Sequence, residues 1–276
     1  MGTALVTGAS AGLGLEFAWQ LATAKHDVVL VARDEEALTR LARQLEAAAG
    51  VRAEVLPADL TDRGDVERVA QRLRTDERPV GLLVNNAGMG LNQHFVGGDL
   101  AREESALDLM VRTVMVLSHE AAGAMVRRGR GAILNVGSVA GLVAAGSYSA
   151  HKAWVRVFTE ALAAELKGTG VTATVVAPGF THTEFQQRAR IDTRHYPEAA
   201  WLDAEDVVAA ALADVRRGVV ISTPSLRYKA LSALLRVAPR SAVRAVGSYR
   251  RALPDEDVRP EGTPGDDGAA TADHED

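Results

Sequence analysis

Short apolar, β-branched runs alternate along this chain with longer stretches whose apolar residues recur at helical spacing. This alternation narrows the possible folds more than any other feature. The short runs lie at residues 4–6, 28–31, 51–56, 82–84, 133–136, 171–176 and 219–221. Between them, Leu38, Leu41 and Leu45 fall on one helical face, as do Val66, Val69 and Leu73. Strands that are apolar throughout, rather than alternately apolar and polar, belong in a parallel sheet covered on both faces. The expected fold is therefore α/β: a doubly wound parallel sheet of Rossmann type, about seven strands, with right-handed crossover helices on both faces. No internal repeat or linker interrupts the pattern before residue 250, so residues 1–253 read as one domain.

The end of the chain reads differently. From Val215 to Leu253 there is no acidic residue, while nine basic ones run from Arg216 to Arg251. A basic helical segment is expected over about 226–253, with Leu231, Leu234 and Leu235 on one face. Residues 254–276 are acidic and rich in Gly, Pro and Ala, and are expected to be a disordered tail. Composition excludes several functions. The net charge of −5 gives no reason to expect nucleic-acid binding. The absence of cysteine excludes disulfides, a thiolate nucleophile and thiolate metal sites, and fits a cytoplasmic protein. No leader segment is expected, because the first strand reads as beginning close to Met1. No apolar run reaches the roughly 18 residues of a membrane span.

The first strand runs into Thr7-Gly8-Ala9-Ser10-Ala11-Gly12-Leu13-Gly14, followed by a helix-forming segment. Such a turn can simply join a strand to a helix. At the opening of the first βα unit, however, it is where dinucleotide folds bring a pyrophosphate to backbone N–H groups. The candidate phosphate contacts are Gly8, Ser10, Ala11, Gly12, Leu13 and Gly14. Further blocks follow in order: Asp59-Leu60, Asn85-Asn86-Ala87-Gly88, Ser138, Tyr148-Ser149-Ala150-His151-Lys152, and Pro178-Gly179-Phe180-Thr181-His182-Thr183. With the Gly-x-x-x-Gly-x-Gly spacing, this ordered set resembles the short-chain dehydrogenase/reductase family over about residues 1–225.

Tyr148 and Lys152 stand one helical turn apart, so both side chains reach one face. The resemblance implies that Lys152 binds a nicotinamide ribose and lowers the pKa of Tyr148, the proton donor. An unperturbed phenol near 10 is a poor acid–base catalyst at neutral pH. It implies that Ser138 holds the substrate oxygen, although a strand-end serine also closes turns. Asn86, Ala87 and Gly88 would shape the cofactor wall, with Asp59 and Leu60 at the adenine. Pro178, Gly179 and Thr183 would line the cofactor, with Thr183 meeting its carboxamide or phosphates; Thr183 reads nearly as well as a helix N-cap ahead of Glu184, and the two can coexist. The resemblance also implies a homodimer or homotetramer.

NADP(H) is the expected cofactor. The resemblance places at Ala32 the position where an NAD-binding fold needs a carboxylate at the end of the second strand, and it makes Arg33 the clamp for a 2′-phosphate. Asp34 is the competing ribose ligand, or else the N-cap of the next helix. His94, His182 and His195 have no metal-ligand spacing, so no metal is expected. His151 and Trp154 read as packing residues. The loops at 90–100, 141–147 and 180–201 carry Leu91, Phe95, Leu142, Val143, Phe180, Phe185, Tyr196 and Trp201, which points to an apolar substrate. The expected activity is hydride transfer between NADP(H) and a carbonyl or alcohol, with a hydrophobic ketone or β-ketoacyl compound as substrate.

Two departures from the family stand out. Ser138 and Tyr148 are ten residues apart, closer than is common. The family's catalytic asparagine falls on Met110, leaving a Ser–Tyr–Lys triad. In the family that asparagine sits in a distorted helix, and its backbone carbonyl holds a water linking the lysine to solvent. A thioether cannot make the hydrogen bonds expected to fix such a distortion. An NADP(H)-binding protein without turnover is therefore one alternative. A reductase held at a membrane surface by its basic segment is another.

Overall fold

The computed structural model describes residues 2–185 and 197–249. Nine strands occur among them: β1 (Thr3–Thr7), β2 (Asp27–Ala32), β3 (Ala53–Pro57), β4 (Val80–Asn85), β5 (Gly131–Val136), β6 (Val171–Val176), β7 (Phe180–Thr181), β8 (Trp201–Leu202) and β9 (Ile221–Ser222). Seven of them form one parallel sheet in the order β3-β2-β1-β4-β5-β6-β9, and β7 pairs with β8 in a separate two-stranded ribbon. The α/β Rossmann-type sheet expected from the sequence is thus present.

Two strands begin two residues later than the apolar pattern marks. Gly50 ends the second helix in a left-handed conformation (φ +64°), and the chain needs residues 51–52 to return to the sheet. Gly218 (φ +68°) does the same ahead of β9. There the carbonyls of Val219 and Val220 accept from Thr174 Oγ1 and the Val175 amide before strand geometry sets in.

The helices are α1 (Gly12–Thr23), α2 (Glu35–Ala49), α3 (Arg63–Arg74), α4 (Leu100–Leu107), α5 (Thr113–Arg128), α6 (Gly146–Glu165), α7 (Ala204–Arg216), α8 (Leu226–Val237) and α9 (Arg240–Tyr249), with a π-helical turn, Asp108–Arg112, joining α4 to α5. Phe17, Leu21, Leu38, Leu45 and Val208 pack from α1, α2 and α7 onto Val6, Leu30 and Leu134 on one face of the sheet. Val66, Val69, Leu117 and Met125 pack from α3 and α5 onto Leu5, Val29, Leu83 and Ile133 on the other. Burying both faces explains why these strands are apolar throughout.

The stretch Leu100–Arg128 is one continuous helical rod of 29 residues, long and apolar enough to cross a membrane by length and composition. The sequence gives no such expectation. Its apolar side is core: Ala106, Met110, Val114, Leu117, Ala121 and Met125 are buried. The basic end also differs from the single helix expected. It is two helices separated at Ala238-Pro239, since proline cannot continue the ladder. In α8 the buried residues are Tyr228 and Ser232, while Leu231 and Leu234 stand on the exposed side. The acidic tail at 254–276, Arg250 and Arg251, His195 and Tyr196 lie outside the described residues.

Candidate active site

The strand order reverses between β1 and β4, and ligands of doubly wound sheets bind at the carboxyl ends of the strands flanking that crevice. The glycine turn leaves β1 there. A Cβ on Gly14 would run into the carbonyl oxygen of Gly8, and one on Gly8 would lie 2.9 Å from Asn86 Nδ2, so this cradle admits backbone only. Thr7 locks it to the end of β4. Its hydroxyl accepts from the amides of Asn86 (2.9 Å) and Ala87 (3.0 Å), and Asn86 Nδ2 donates to the Thr7 carbonyl at 2.9 Å. Sequence reasoning passed over Thr7; the signal was a hydroxyl at the last position of an apolar strand. The helices α2, α3 and α4 are N-capped by Asp34, Asp62 and Asp99. By contrast, α1 has Ala11 at its N-cap position, no side-chain cap and no acidic residue in its first turn. Such a helix end suits an anionic ligand, so a pyrophosphate fits the residues present.

Beside this cradle, Lys152 is buried, and its Nζ donates to the carbonyl oxygen of Val136 at 2.7 Å. It stands 5.8 Å from the centre of the half-buried Tyr148 ring. Burial pushes the lysine pKa down to about 8. Ser138 follows β5 and caps a short 3₁₀ turn, Val139–Leu142, with its Oγ accepting from the Ala140 amide at 3.1 Å. It therefore does close a turn. A serine accepting there keeps a proton to donate, so the turn and a substrate contact are compatible. Beneath these residues lies a buried polar ladder. Asn85 Nδ2 donates to Asn135 Oδ1 (2.8 Å) and Ser118 Oγ (3.1 Å), and Asn135 Nδ2 donates to Thr159 Oγ1 (2.9 Å). It joins β4, β5 and α5 to α6, which carries Tyr148 and Lys152.

Met110 occupies the π-helical turn and is 1 % exposed. The distortion expected to depend on asparagine is thus present without it. Backbone and packing suffice: the Thr113 amide donates to the Asp108 carbonyl five residues back, and Thr113 Oγ1 donates to the Leu60 carbonyl at 2.7 Å. A Cβ on Gly88 would lie 3.8 Å from Met110 Sδ and 3.9 Å from Lys152 Nζ, so the three residues converge.

At the other end, Ala32 is buried where β2 stops, and Arg33 is exposed just beyond it. The Asp34 carboxylate accepts from the Ala37 amide at 2.9 Å, which makes it the N-cap of α2. Asp59 Oδ1 accepts from the amide and hydroxyl of Thr61, so that oxygen serves its own turn. Thr183 abuts the glycine turn: a Cβ on Gly12 would meet its Cβ at 3.4 Å. Its hydroxyl accepts from the Phe185 amide at 3.3 Å, as a helix cap would. His151 is packed, and burial lowers its pKa, with Lys152 adding to the effect and Glu103 opposing it. Trp154 stacks on Phe158, centroids 4.7 Å apart. His182 stacks on Trp201, and His94 is exposed. Among the described residues no three His, Asp or Glu side chains come together as a metal site would need. Leu91, Leu142, Val143, Phe180, Phe185 and Trp201 are half-buried and Phe95 is exposed; Phe185 meets the Tyr148 ring, centroids 6.0 Å apart.

Residues 2–194 match the short chain dehydrogenase family. The chain is 35% identical over 214 residues to a ketoacyl reductase of Nostoc sp., a match covering 76% of this chain and 73% of that protein. A short-chain dehydrogenase from Sphingobium yanoikuyae, solved in complex with NADPH, superposes with a TM-score of 0.77 at 33% identity, covering 94% of this chain and 99% of the other. A bulky-bulky ketone specific alcohol dehydrogenase from Comamonas testosteroni superposes with a TM-score of 0.74 at 32% identity, covering 92% and 99%.

Proposed function

This chain belongs to the short chain dehydrogenase family, oxidoreductases that act on CH–OH and C=O groups with a nicotinamide cofactor, and from that we propose an NADP(H)-dependent reductase of hydrophobic ketones or β-ketoacyl compounds. One observation carries the reading: a buried lysine ammonium one helical turn from a tyrosine, beside a backbone-only cradle at the sheet's reversal point. Bound NADPH would supply the hydride. The turn Gly8, Ser10, Ala11, Gly12, Leu13 and Gly14 would hold its pyrophosphate. Asn86, Ala87, Gly88, Pro178, Gly179 and Thr183 would line the nicotinamide side, and Asp59 and Leu60 the adenine.

In reduction the Tyr148 hydroxyl donates its proton to the carbonyl oxygen; in oxidation it takes the proton back. The Lys152 ammonium favours the phenolate and so draws the tyrosine toward neutral pH. Ser138 donates to the same substrate oxygen while accepting from Ala140. The capping role of Asp34 supports Arg33 as the group that meets a 2′-phosphate. The half-buried Leu142, Val143, Phe180 and Phe185 support an apolar substrate. The same reading includes a homodimer or homotetramer, supported by exposed Leu107, Met115, Val126 and Val157 on the outer sides of α4, α5 and α6.

The test is consumption of NADPH, followed by absorbance, against a panel of alkyl and aryl ketones and β-ketoacyl thioesters, with NADH in parallel. Turnover with NADPH well above that with NADH is expected. Tight NADPH binding without turnover on any carbonyl would favour the second reading, a nucleotide-binding protein, which the buried Met110 motivates.

A further inference from the structure

Tyr228 lies on α8, beyond the residues that match the family, yet it is built into the edge of the candidate cofactor site. Its ring is 7 % exposed and fills the space a side chain at Gly179 would need: a Cβ there would run into ring carbons Cζ, Cε1 and Cε2. Its hydroxyl donates to the Ala200 carbonyl at 2.6 Å and accepts from the Phe180 amide at 3.2 Å. These partners sit on either side of the β7–β8 ribbon, in which Phe180 faces Trp201 and Thr181 faces Leu202. The neighbouring Arg227 donates to the carbonyls of Ala199 and Trp201. Helix α8 therefore grips both strands of a ribbon whose two-residue ladder is too short to hold itself.

The consequence runs to the glycine turn. Thr183 follows β7 by two residues and lies against Gly12. We propose that Tyr228 is a positioning residue for the nicotinamide end of the cofactor site. By wedging against Gly179 and bridging Phe180 to Ala200, it sets the path of residues 179–183 past the glycine turn. This rests on the cofactor reading given above. The adenosine end, at Arg33 and Asp59, is built from other elements, so the two ends of the ligand respond differently to Tyr228.

The experiment uses Tyr228→Phe, which keeps the wedge and removes the bridge. NADPH and adenosine 2′,5′-bisphosphate, which lacks the nicotinamide half, are each titrated by calorimetry into parent and variant. Amide hydrogen exchange is followed at Phe180. Loss of two hydrogen bonds is expected to weaken NADPH about tenfold, to leave the bisphosphate within about twofold, and to speed exchange at Phe180. Tyr228→His, which keeps a smaller ring against Gly179 but cannot span Phe180 and Ala200, is expected to show the same selectivity and decides the matter should Tyr228→Phe not fold. Unchanged NADPH affinity, or equal losses for both ligands, overturns the role of Tyr228. A parent chain that binds neither ligand overturns the cofactor reading beneath it, and the two failures are told apart by the parent titration alone.

Discussion

Lys152 donates to the carbonyl oxygen of Val136, 2.7 Å away, from a pocket that leaves its side chain almost no contact with water. Burial alone lowers its pKa from 10.5 to about 8. Below about pH 8 the lysine is charged both folded and unfolded, and the whole cost of burying that charge is felt. Between about 8 and 10.5 the folded chain gives up the proton first, and the cost fades. The displacement corresponds to about 3 kcal/mol, and losing the bond to Val136 takes back about 1. Lys152→Met is thus expected to be inactive yet more stable by about 2 kcal/mol below pH 8, with the advantage shrinking toward pH 10.5. Denaturant unfolding of parent and variant at both ends of that range checks it; a variant less stable at neutral pH contradicts it.

Tyr148→Phe removes only the proposed proton donor. Turnover is expected to fall by about 10²–10⁴-fold, with NADPH affinity nearly intact. Near-normal turnover in this variant would sink the mechanism.

Arg33→Ala addresses cofactor choice. NADPH binding should weaken by about 2–3 kcal/mol, the range for a charge-assisted contact, while NADH changes little. If calorimetry shows the same loss for both nucleotides, Arg33 does not read the phosphate.

Met110→Asn is a test of the proton relay. The π-helical turn already exists with methionine, so the substitution changes the side chain beside Lys152 without having to create the distortion. A higher kcat with a smaller solvent isotope effect is expected, together with a stability loss of about 1–3 kcal/mol from burying an amide at a site that is 1 % exposed. Identical rate and isotope effect would place the relay in other groups.

Much of this architecture was legible because its cause is local and repetitive. A strand buried on both faces must be apolar throughout, and Asp34 caps its helix through a carboxylate three residues from the amide it meets. Tyr148 and Lys152 were legible through the ordered set of blocks that resembles the family, their spacing of one helical turn being a weak sign on its own. Thr7, Asn135 and Tyr228 were not, since each acts through partners distant in the chain: Asn86 for Thr7, Thr159 for Asn135, Phe180 and Ala200 for Tyr228. The π-helical turn leaves no mark on apolar spacing, because Ala106, Met110 and Val114 continue it unbroken. The break between α8 and α9 did leave one, in Pro239.

The strand order also governs how the chain must come together. Every pair in the seven-stranded sheet is parallel, so no two strands can meet through a hairpin, and each contact waits for an intervening crossover. Strand β1 is made first and pairs on one side with β4, whose residues begin at Val80. Until that segment arrives, Leu5 and Val6, fully buried at the end, face water or whatever apolar surface is near. Such a topology folds slowly for its size and is vulnerable to aggregation while it does so. Yield on refolding should therefore fall with rising protein concentration well before any loss of stability is measurable.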